Sequence, residues 1–305
     1  MDLLDSEIIK SGVVALAGPP NAGKSTLLNS LLGQKISIVT PKPQTTRNRI
    51  AGVLNGAGYQ IVLLDTPGLH RSTVLLNKEM VQVALDSLHG VEAVVFMVDA
   101  SRAWSPEQNG ARGEEYKTYL EEVESPAFLL LNKVDLIDKD ELLPIIDFYS
   151  KLYPFKGVIP VSALKGDGLE RLVEELVGVM PQGFRYFPDD VPTDATERFL
   201  SAEIIREKVF LLTGQEIPYS SAVLIESFKE DEERKLVEIH ASIYLERKSQ
   251  KGIIIGKRGD KIKQIGTAAR KDIEEMLDCR VALHLWVKIR KHWSRDQRFL
   301  KELGL

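Results

Sequence analysis

Residues 18–26 read GPPNAGKST, and no other stretch constrains the fold as strongly. Gly18 to Ser25 fits G-x-x-x-x-G-K-[ST]; the apolar run VVALA precedes it and TLLNSLLG, with helical spacing, follows. A strand, a glycine loop and a helix in that order point several backbone N–H groups and a helix N-terminus at one place, which is how phosphate oxygens are held. Gly18, Pro20, Asn21, Ala22 and Gly23 then wrap the phosphates and Lys24 reaches the β and γ oxygens. The Ser25 hydroxyl ligates Mg2+, and Thr26 completes the cofactor-contacting set.

The surrounding pattern agrees. QIVLLD, AVVFMVD, AFLLLN and GVIPVSAL are strand-like and alternate with amphipathic segments, which predicts an α/β unit with a mostly parallel sheet flanked by helices. GLERLVEELVGVM closes it as a helix, with Leu169, Leu172, Leu176 and Val179 at helical spacing. PQGFRYFPDDVPTDAT is rich in proline and turn residues and reads as a linker. Beyond it, ERFLSAEIIREKVFLLTGQ predicts a helix ending near Gly214, and SSAVLIESFKED and RKLVEIHASIYLE two strands joined by the acidic turn Glu230 to Glu233. GIIIGKRGDKIKQIGTAARKDIEEMLD has helical character on both sides of a glycine-bracketed turn, and RVALHLWVKI is a third strand. The expected division of the 305 residues is 1–182, a linker at 183–195, and an α+β module at 196–305.

Charge separates the halves. The net charge is -4, but residues 1–195 carry 18 basic and 26 acidic side chains, residues 196–305 carry 22 and 18, and the tract from Arg247 onward 16 and 7. A basic tract on an acidic chain is a candidate surface for phosphate backbones. Cys279 is the single cysteine, so no intrachain disulfide forms; a buried, inert thiol and a reducing compartment are expected. The N-terminus MDLLDSEIIKSG has no basic start followed by an apolar segment, and runs such as VEAVVFMVDA are far short of a membrane span. A cytoplasmic location is expected.

The base is read outside the phosphate loop. LLLNKVD ends a strand with Asn132, Lys133 and Asp135; the Asp135 carboxylate accepts hydrogen bonds from guanine N1–H and the 2-amino group, donors that adenine lacks. Asn132 is expected to contact guanine and brace the loop, Lys133 to lie along the base, and Ser162 and Ala163 of VSAL to support its far edge. In LLDTPG, Asp65 holds Mg2+ through water and Gly68 offers its N–H to the γ-phosphate. Thr45 and Thr46 of PQTTRNRI both qualify to close over Mg2+ in the triphosphate state and release after hydrolysis.

Over residues 10–182 this set resembles the translation-factor-class, Ras-like GTPases. The resemblance implies a switch binding GTP or GDP with Mg2+, with Lys24, Asn21, Gly68, Thr45 and Thr46 nearest the chemistry. One departure bears on mechanism: Leu69 stands where Ras-like proteins have a water-orienting glutamine, which implies slow intrinsic hydrolysis. Relatives with an apolar residue there often carry an asparagine at the position of Asn21 that helps bind K+, so K+ is an expected second cation.

Gly256-Lys257-Arg258-Gly259 has the G-x-x-G form of a type II KH domain, with helices on both sides and a basic centre. The backbone of about four nucleotides approaches such a turn. Lys257, Arg258, Lys261 and Lys263 are the expected backbone contacts, and Ile253, Ile254 and Ile255 the expected groove lining. Trp286 alternates with Leu285 and Val287, so core packing weighs at least as much as base stacking; for Trp293 the choice stays open. A GTPase followed by this module resembles the bacterial Era family over essentially the whole chain. That resemblance implies binding of 16S rRNA near its 3′ end and a part in 30S subunit maturation, with peripheral inner-membrane association and a monomeric state. Another RNA-associated GTPase, or an RNA-binding scaffold with a weak nucleotide site, are the alternatives. An enzyme acting on RNA itself finds no support, since neither paired acids nor a histidine cluster is legible in the C-terminal half.

Overall fold

The computed structural model describes residues 8–70, 74–101, 106–214, 216–231 and 233–305, and the backbone alone of 106–112. The first seven residues of the N-terminal stretch, Gln215 after the expected helix and Glu232 of the expected acidic turn lie outside that description. The chain forms two compact units. One comprises Met1–Ser37, Thr46–Arg71 and Glu79–Asp194; the other Ile38–Thr45, Ser72–Lys78 and Ala195–Leu305.

In chain order the elements up to residue 194 are β1 (Ile9–Ala17), α1 (Lys24–Leu32), β2 (Ile50–Gly56), β3 (Tyr59–Asp65), α2 (Leu75–Asp86), β4 (Ala93–Asp99) and α3 (Pro106–Leu120). They continue with β5 (Ala127–Asn132), α4 (Lys139–Leu152), β6 (Gly157–Val161), α5 (Leu169–Val179) and β7 (Gln182–Gly183). The sheet runs β2-β3-β1-β4-β5-β6, with β7 also on β1. The pairs from β3 to β6 are parallel; the β2–β3 hairpin and the short β7 are antiparallel. Both faces are covered, which is why the strands read as unbroken apolar runs. Alternation along β1 sends Ala15 and Ala17 to one core with Val62, Leu64 and Phe96, and Val14 and Leu16 to the other with Leu63, Leu172 and Leu176.

The stretch 183–195, expected as a linker, is strapped to this unit through Asp194. Gln60, fully buried, accepts the N–H groups of Tyr186 (2.7 Å) and Phe187 (3.0 Å) and donates to the Phe187 carbonyl and to Asn55 Oδ1 (both 2.8 Å). Val53 N–H donates to the Pro192 carbonyl (2.8 Å) and the Thr193 hydroxyl to the Ala51 carbonyl (2.6 Å), covering the exposed edge of β2. Proline-rich composition signals absence of regular structure, not absence of partners, so this strap is invisible to pattern reading.

The second unit contains α6 (Glu197–Leu212), β8 (Ser221–Asp231), β9 (Leu236–Leu245), α7 (Lys248–Ile255), α8 (Asp260–Leu277), β10 (Arg280–Ile289) and α9 (Gln297–Glu302). Its sheet is ordered β10-β9-β8, with β8 antiparallel and β10 parallel to β9. Ile239, Ala241 and Ile243 of β9 pack in one core with Ile254 of α7 and with Ile265, Ala269 and Ile273, spaced by four on α8. Thr196 caps α6 by accepting the Phe199 N–H (3.2 Å). Within this unit the segment 38–45 is bound to α6: Glu207 accepts the Val39 N–H (3.1 Å), Arg206 donates to the Thr45 carbonyl, and Lys42 to the carbonyls of Phe210 and Thr213.

Two side chains, Trp286 and Cys279, depart from expectation, and the open choice for Trp293 is resolved. Trp293 is fully buried and donates its indole N–H to the Ser220 carbonyl (3.0 Å), whereas Trp286 is 43% exposed. The alternation that sends Leu285 and Val287 to the core turns Trp286 to the other face. Cys279 is half-buried rather than buried, and desolvation together with Glu197 and other nearby acids pushes its thiol pKa up, which keeps it unreactive.

Replacing Gln60 by Leu should leave the backbone N–H groups of Tyr186 and Phe187 unpaired and lower stability by about 1–3 kcal/mol. Urea unfolding should show this as a lower midpoint at unchanged slope; an unchanged midpoint would mean the strap contributes nothing.

Candidate functional site

The phosphate loop has its shape because two positions admit no side chain. Gly18 (φ 132°) lies where a Cβ would meet the Met97 carbonyl at 2.1 Å, and Gly23 (φ 104°) where it would meet Asn132 Nδ2 at 2.2 Å. Asn21 is also left-handed, at φ 63°. Ala22 is buried, while Pro20 and Thr26 are half-buried at the rim. α1 starts directly at Lys24, so the loop and the helix N-terminus face one point.

Lys24 is buried, with Nζ 3.0 Å from the carbonyls of both Gly18 and Pro19. Burial pulls its pKa down to about 8, against the opposing charge of Asp65. The Ser25 hydroxyl donates to Asp65 Oδ2 (2.6 Å) and lies 2.8 Å from the Thr46 hydroxyl. Asp65 Oδ1 is buried with no protein hydrogen-bond partner, and burial raises the pKa of this carboxyl. Two hydroxyls and a carboxylate with an unused oxygen are the hard donor set that Mg2+ prefers, so the residues fit that ion. Of the two threonines the sequence leaves open, Thr46 is the one whose hydroxyl lies beside Ser25. The Thr45 hydroxyl instead donates to the Lys42 carbonyl (2.8 Å) and lies 2.6 Å from the Thr40 hydroxyl.

Gly68 presses on the loop from the other side, where a Cβ would lie 2.7 Å from Pro20. The next N–H, of Leu69, donates to the Gly18 carbonyl (3.0 Å), and the Leu69 side chain is 1% exposed in the hydrophobic core. A leucine so buried has no access to an attacking water.

On the base side, Asn132 spends its carboxamide on bracing: Nδ2 donates to the Ala22 carbonyl (2.7 Å) and Oδ1 accepts the Ala163 N–H (2.9 Å). These bonds fulfil the bracing role expected of Asn132. Lys133 sits at φ 66°, its ammonium paired with Asp99 (2.6 Å). Asp135, in the short turn Val134–Leu136, is exposed and open to a ligand. Ser162 is buried and its hydroxyl accepts the Lys165 N–H (3.2 Å), shaping the turn that presents Ala163. Sequence reasoning missed Asp99, which orients Lys133, and Ser30, which donates to the Ala163 carbonyl (2.6 Å). The Asp at the end of AVVFMVD was the available signal for the first.

In the second unit the glycine-bracketed turn joins α7 to α8. Gly256 (φ 73°) would bring a Cβ within 2.6 Å of Lys261, Gly259 has φ 85°, and Arg258 between them is left-handed at φ 56°. Lys257, Arg258 and Lys263 are exposed and Lys261 is half-buried. Ile253 is exposed and Ile255 half-buried, but Ile254 is fully buried in the core, so it drops out of the expected groove lining. Helical geometry turns adjacent residues about 100° apart, and only one of three consecutive isoleucines can point straight inward. The expectation of no histidine cluster is also overturned: Glu238, His240 and His284 bring their ligand atoms within 4.8 Å of one another.

A family model described as "50S ribosome-binding GTPase" matches residues 13–133, and a KH-domain model matches residues 216–294. GTPase Era of Geobacter sp. (strain M21) is 52% identical over 295 residues, covering 97% of each chain. GTPase Era of Syntrophus aciditrophicus (strain SB) is 49% identical over 299 residues, covering 98% of this chain and 96% of that one. The fold is similar to a crystal structure of Era in complex with MgGDPNP and nucleotides 1506–1542 of 16S ribosomal RNA, with a TM-score of 0.91 at 40% identity over 97% of this chain and 99% of that one. An Aquifex aeolicus Era variant bound to GDP.AlF4- superposes equally well, with a TM-score of 0.91 at 39% identity over the same shares of the two chains.

Because burial depresses Lys24, the free protein loses that proton as pH rises through about 8, and a bound phosphate, by adding negative charge, restores it. Calorimetry in buffers of different ionisation enthalpy should therefore find proton uptake on GDP binding that grows from about pH 7 to about pH 8.5. Uptake that does not vary with pH would contradict the assignment.

Proposed function

The chain belongs to the Era family of GTPases and hydrolyses GTP, and from that premise we propose that it is a nucleotide-controlled RNA-binding switch acting in maturation of the small ribosomal subunit. The observation that carries the coupling is the division of the chain. The segment 38–45, which runs directly into Thr46, and the segment 72–78, shortly after Gly68, are counted with the KH-bearing unit rather than with the nucleotide unit. A change at Thr46 or Gly68 on loss of the γ-phosphate therefore pulls on chain that belongs to the other unit.

In this reading Ser25, Thr46 and Asp65 hold Mg2+, which supplies positive charge to the phosphate oxygens when bound. The chain's own part is electrostatic and positional. Lys24, the loop N–H groups and the Gly68 N–H stabilise charge on the phosphates, and Asp135 selects guanine. Asn132 and Ala163 hold the base-side loop in register with the phosphate loop. Buried Leu69 orients no water, so intrinsic hydrolysis is slow, and Asn21 with K+ contributes the missing positive charge.

For RNA we assign the exposed Lys257, Arg258 and Lys263 and half-buried Lys261 to backbone contacts, and Ile253 and Ile255 to the groove. The RNA seen with the related Era motivates 16S rRNA near its 3′ end, and with it the 30S subunit, as partner. A monomer working in the cytoplasm, with peripheral contact to the inner membrane, follows the same family reading. Among the described residues no helix is long and apolar enough to cross a membrane.

Two measurements test this. Affinity of the protein, loaded with a non-hydrolysable GTP analogue, for RNA with the sequence of nucleotides 1506–1542 should fall with salt at a log–log slope of about -0.7 per phosphate contacted. Replacing Lys257 and Arg258 by Ala should flatten that slope by about 1–1.5, and an unchanged slope removes the turn from the interface. GTP hydrolysis should be about tenfold or more faster in KCl than in NaCl at equal ionic strength, with the difference lost in Asn21→Ala. Equal rates in the two salts would rule out the cation role.

A further inference from the structure

Neither the GTPase reading nor the RNA reading uses the sheet face of the second unit that is turned away from α6, α7 and α8. Val237, Ile239, Ala241 and Ile243 of β9 point into the helix-covered core, so Glu238 and His240, between them, point out. β10 runs parallel to β9 with His284 directly opposite His240. Strand alternation and cross-strand register thus bring one carboxylate and two imidazoles together on a single face.

The donor atoms converge. His240 Nε2 lies 2.9 Å and His284 Nε2 3.5 Å from the same oxygen, Glu238 Oε1. A tetrahedral ion bound at about 2.0–2.1 Å by imidazole nitrogen and carboxylate oxygen needs its donors about 3.3–3.4 Å apart, and the two observed separations bracket that spacing. Trp286 stacks on His240 at 5.2 Å between centroids and 13° between planes, which restricts the orientation of the ring. All three side chains are between 34% and 47% exposed, so an ion reaches them without opening the fold.

We propose that Glu238, His240 and His284 form a binding site for a divalent transition-metal ion of the Zn2+ class. Two imidazoles and one carboxylate favour zinc over Mg2+ or Ca2+, which take oxygen donors. Three protein ligands leave one tetrahedral position for water or for a donor from outside the chain. The site is separate from the Ser25, Thr46 and Asp65 set and does not depend on the RNA assignment.

The test is a calorimetric titration of Zn2+ into the full-length protein saturated with GDP and Mg2+, repeated with Co2+ to read the visible absorption of a tetrahedral ion. One Zn2+ per chain is expected, with affinity falling by more than about tenfold in His284→Gln and in Glu238→Gln, and unchanged in Cys279→Ser. Both ligand positions are exposed, so the variants should melt within a few degrees of the parent in the absence of zinc, which separates ligand loss from misfolding. Absence of saturable zinc binding, or a zinc isotherm that survives His284→Gln, overturns the proposal.

Discussion

The nucleotide half depends on the carboxamide of Asn132. It stands at the end of β5, a strand buried at every residue, and reaches the phosphate loop through Ala22 and the base-side loop through Ala163. Three loops from distant parts of the chain are thereby tied to one amide, and Gly23 must lack a Cβ for that amide to fit. The loop positions are thus set from a central strand as well as by the loops themselves.

The second unit meets a different constraint. α6 is buried nearly all round, yet it carries Glu203, Arg206 and Glu207 in its interior. Arg206 pairs with Glu203 (2.7 Å), and Lys208 bridges Glu207 (2.9 Å) and Asp272 of α8. Burying such charges costs several kcal/mol per ion before pairing offsets it, so the network is poor at raising stability and good at demanding one arrangement. The groups that demand it include the backbone of Val39 and Thr45. The helix thus ties the residues before Thr46 into its own unit through bonds that have no apolar substitute.

Much of this was legible because the chemistry is local. GPPNAGKST, LLDTPG, LLLNKVD and GKRG each lie within a few consecutive residues at a strand or helix end, where the backbone shape is set by glycine and by the following helix. What escaped was decided by direction or by distant partners. Thr45 and Thr46 are chemically alike, and only the fold sets the hydroxyl of the first against Lys42 and Thr40 and that of the second beside Ser25. Trp286 faces out of the core because a strand's alternation has two faces and sequence does not say which one the helices cover, and the open choice for Trp293 fell to burial. The strap at 183–194 rests on Gln60, a single buried polar residue inside an otherwise apolar strand.

The sequence by itself determined the two fold classes and their order, since each is signalled by short patterns whose shape is set by neighbours along the chain. Tertiary structure alone decided which threonine hydroxyl lies beside Ser25, which isoleucine enters the core, and that the segment 38–45 groups with the C-terminal unit. It alone placed Glu238, His240 and His284 on one patch: residues up to 46 apart in the chain become neighbours only when β10 lies parallel to β9 in a particular register, and register is set by packing over the whole sheet.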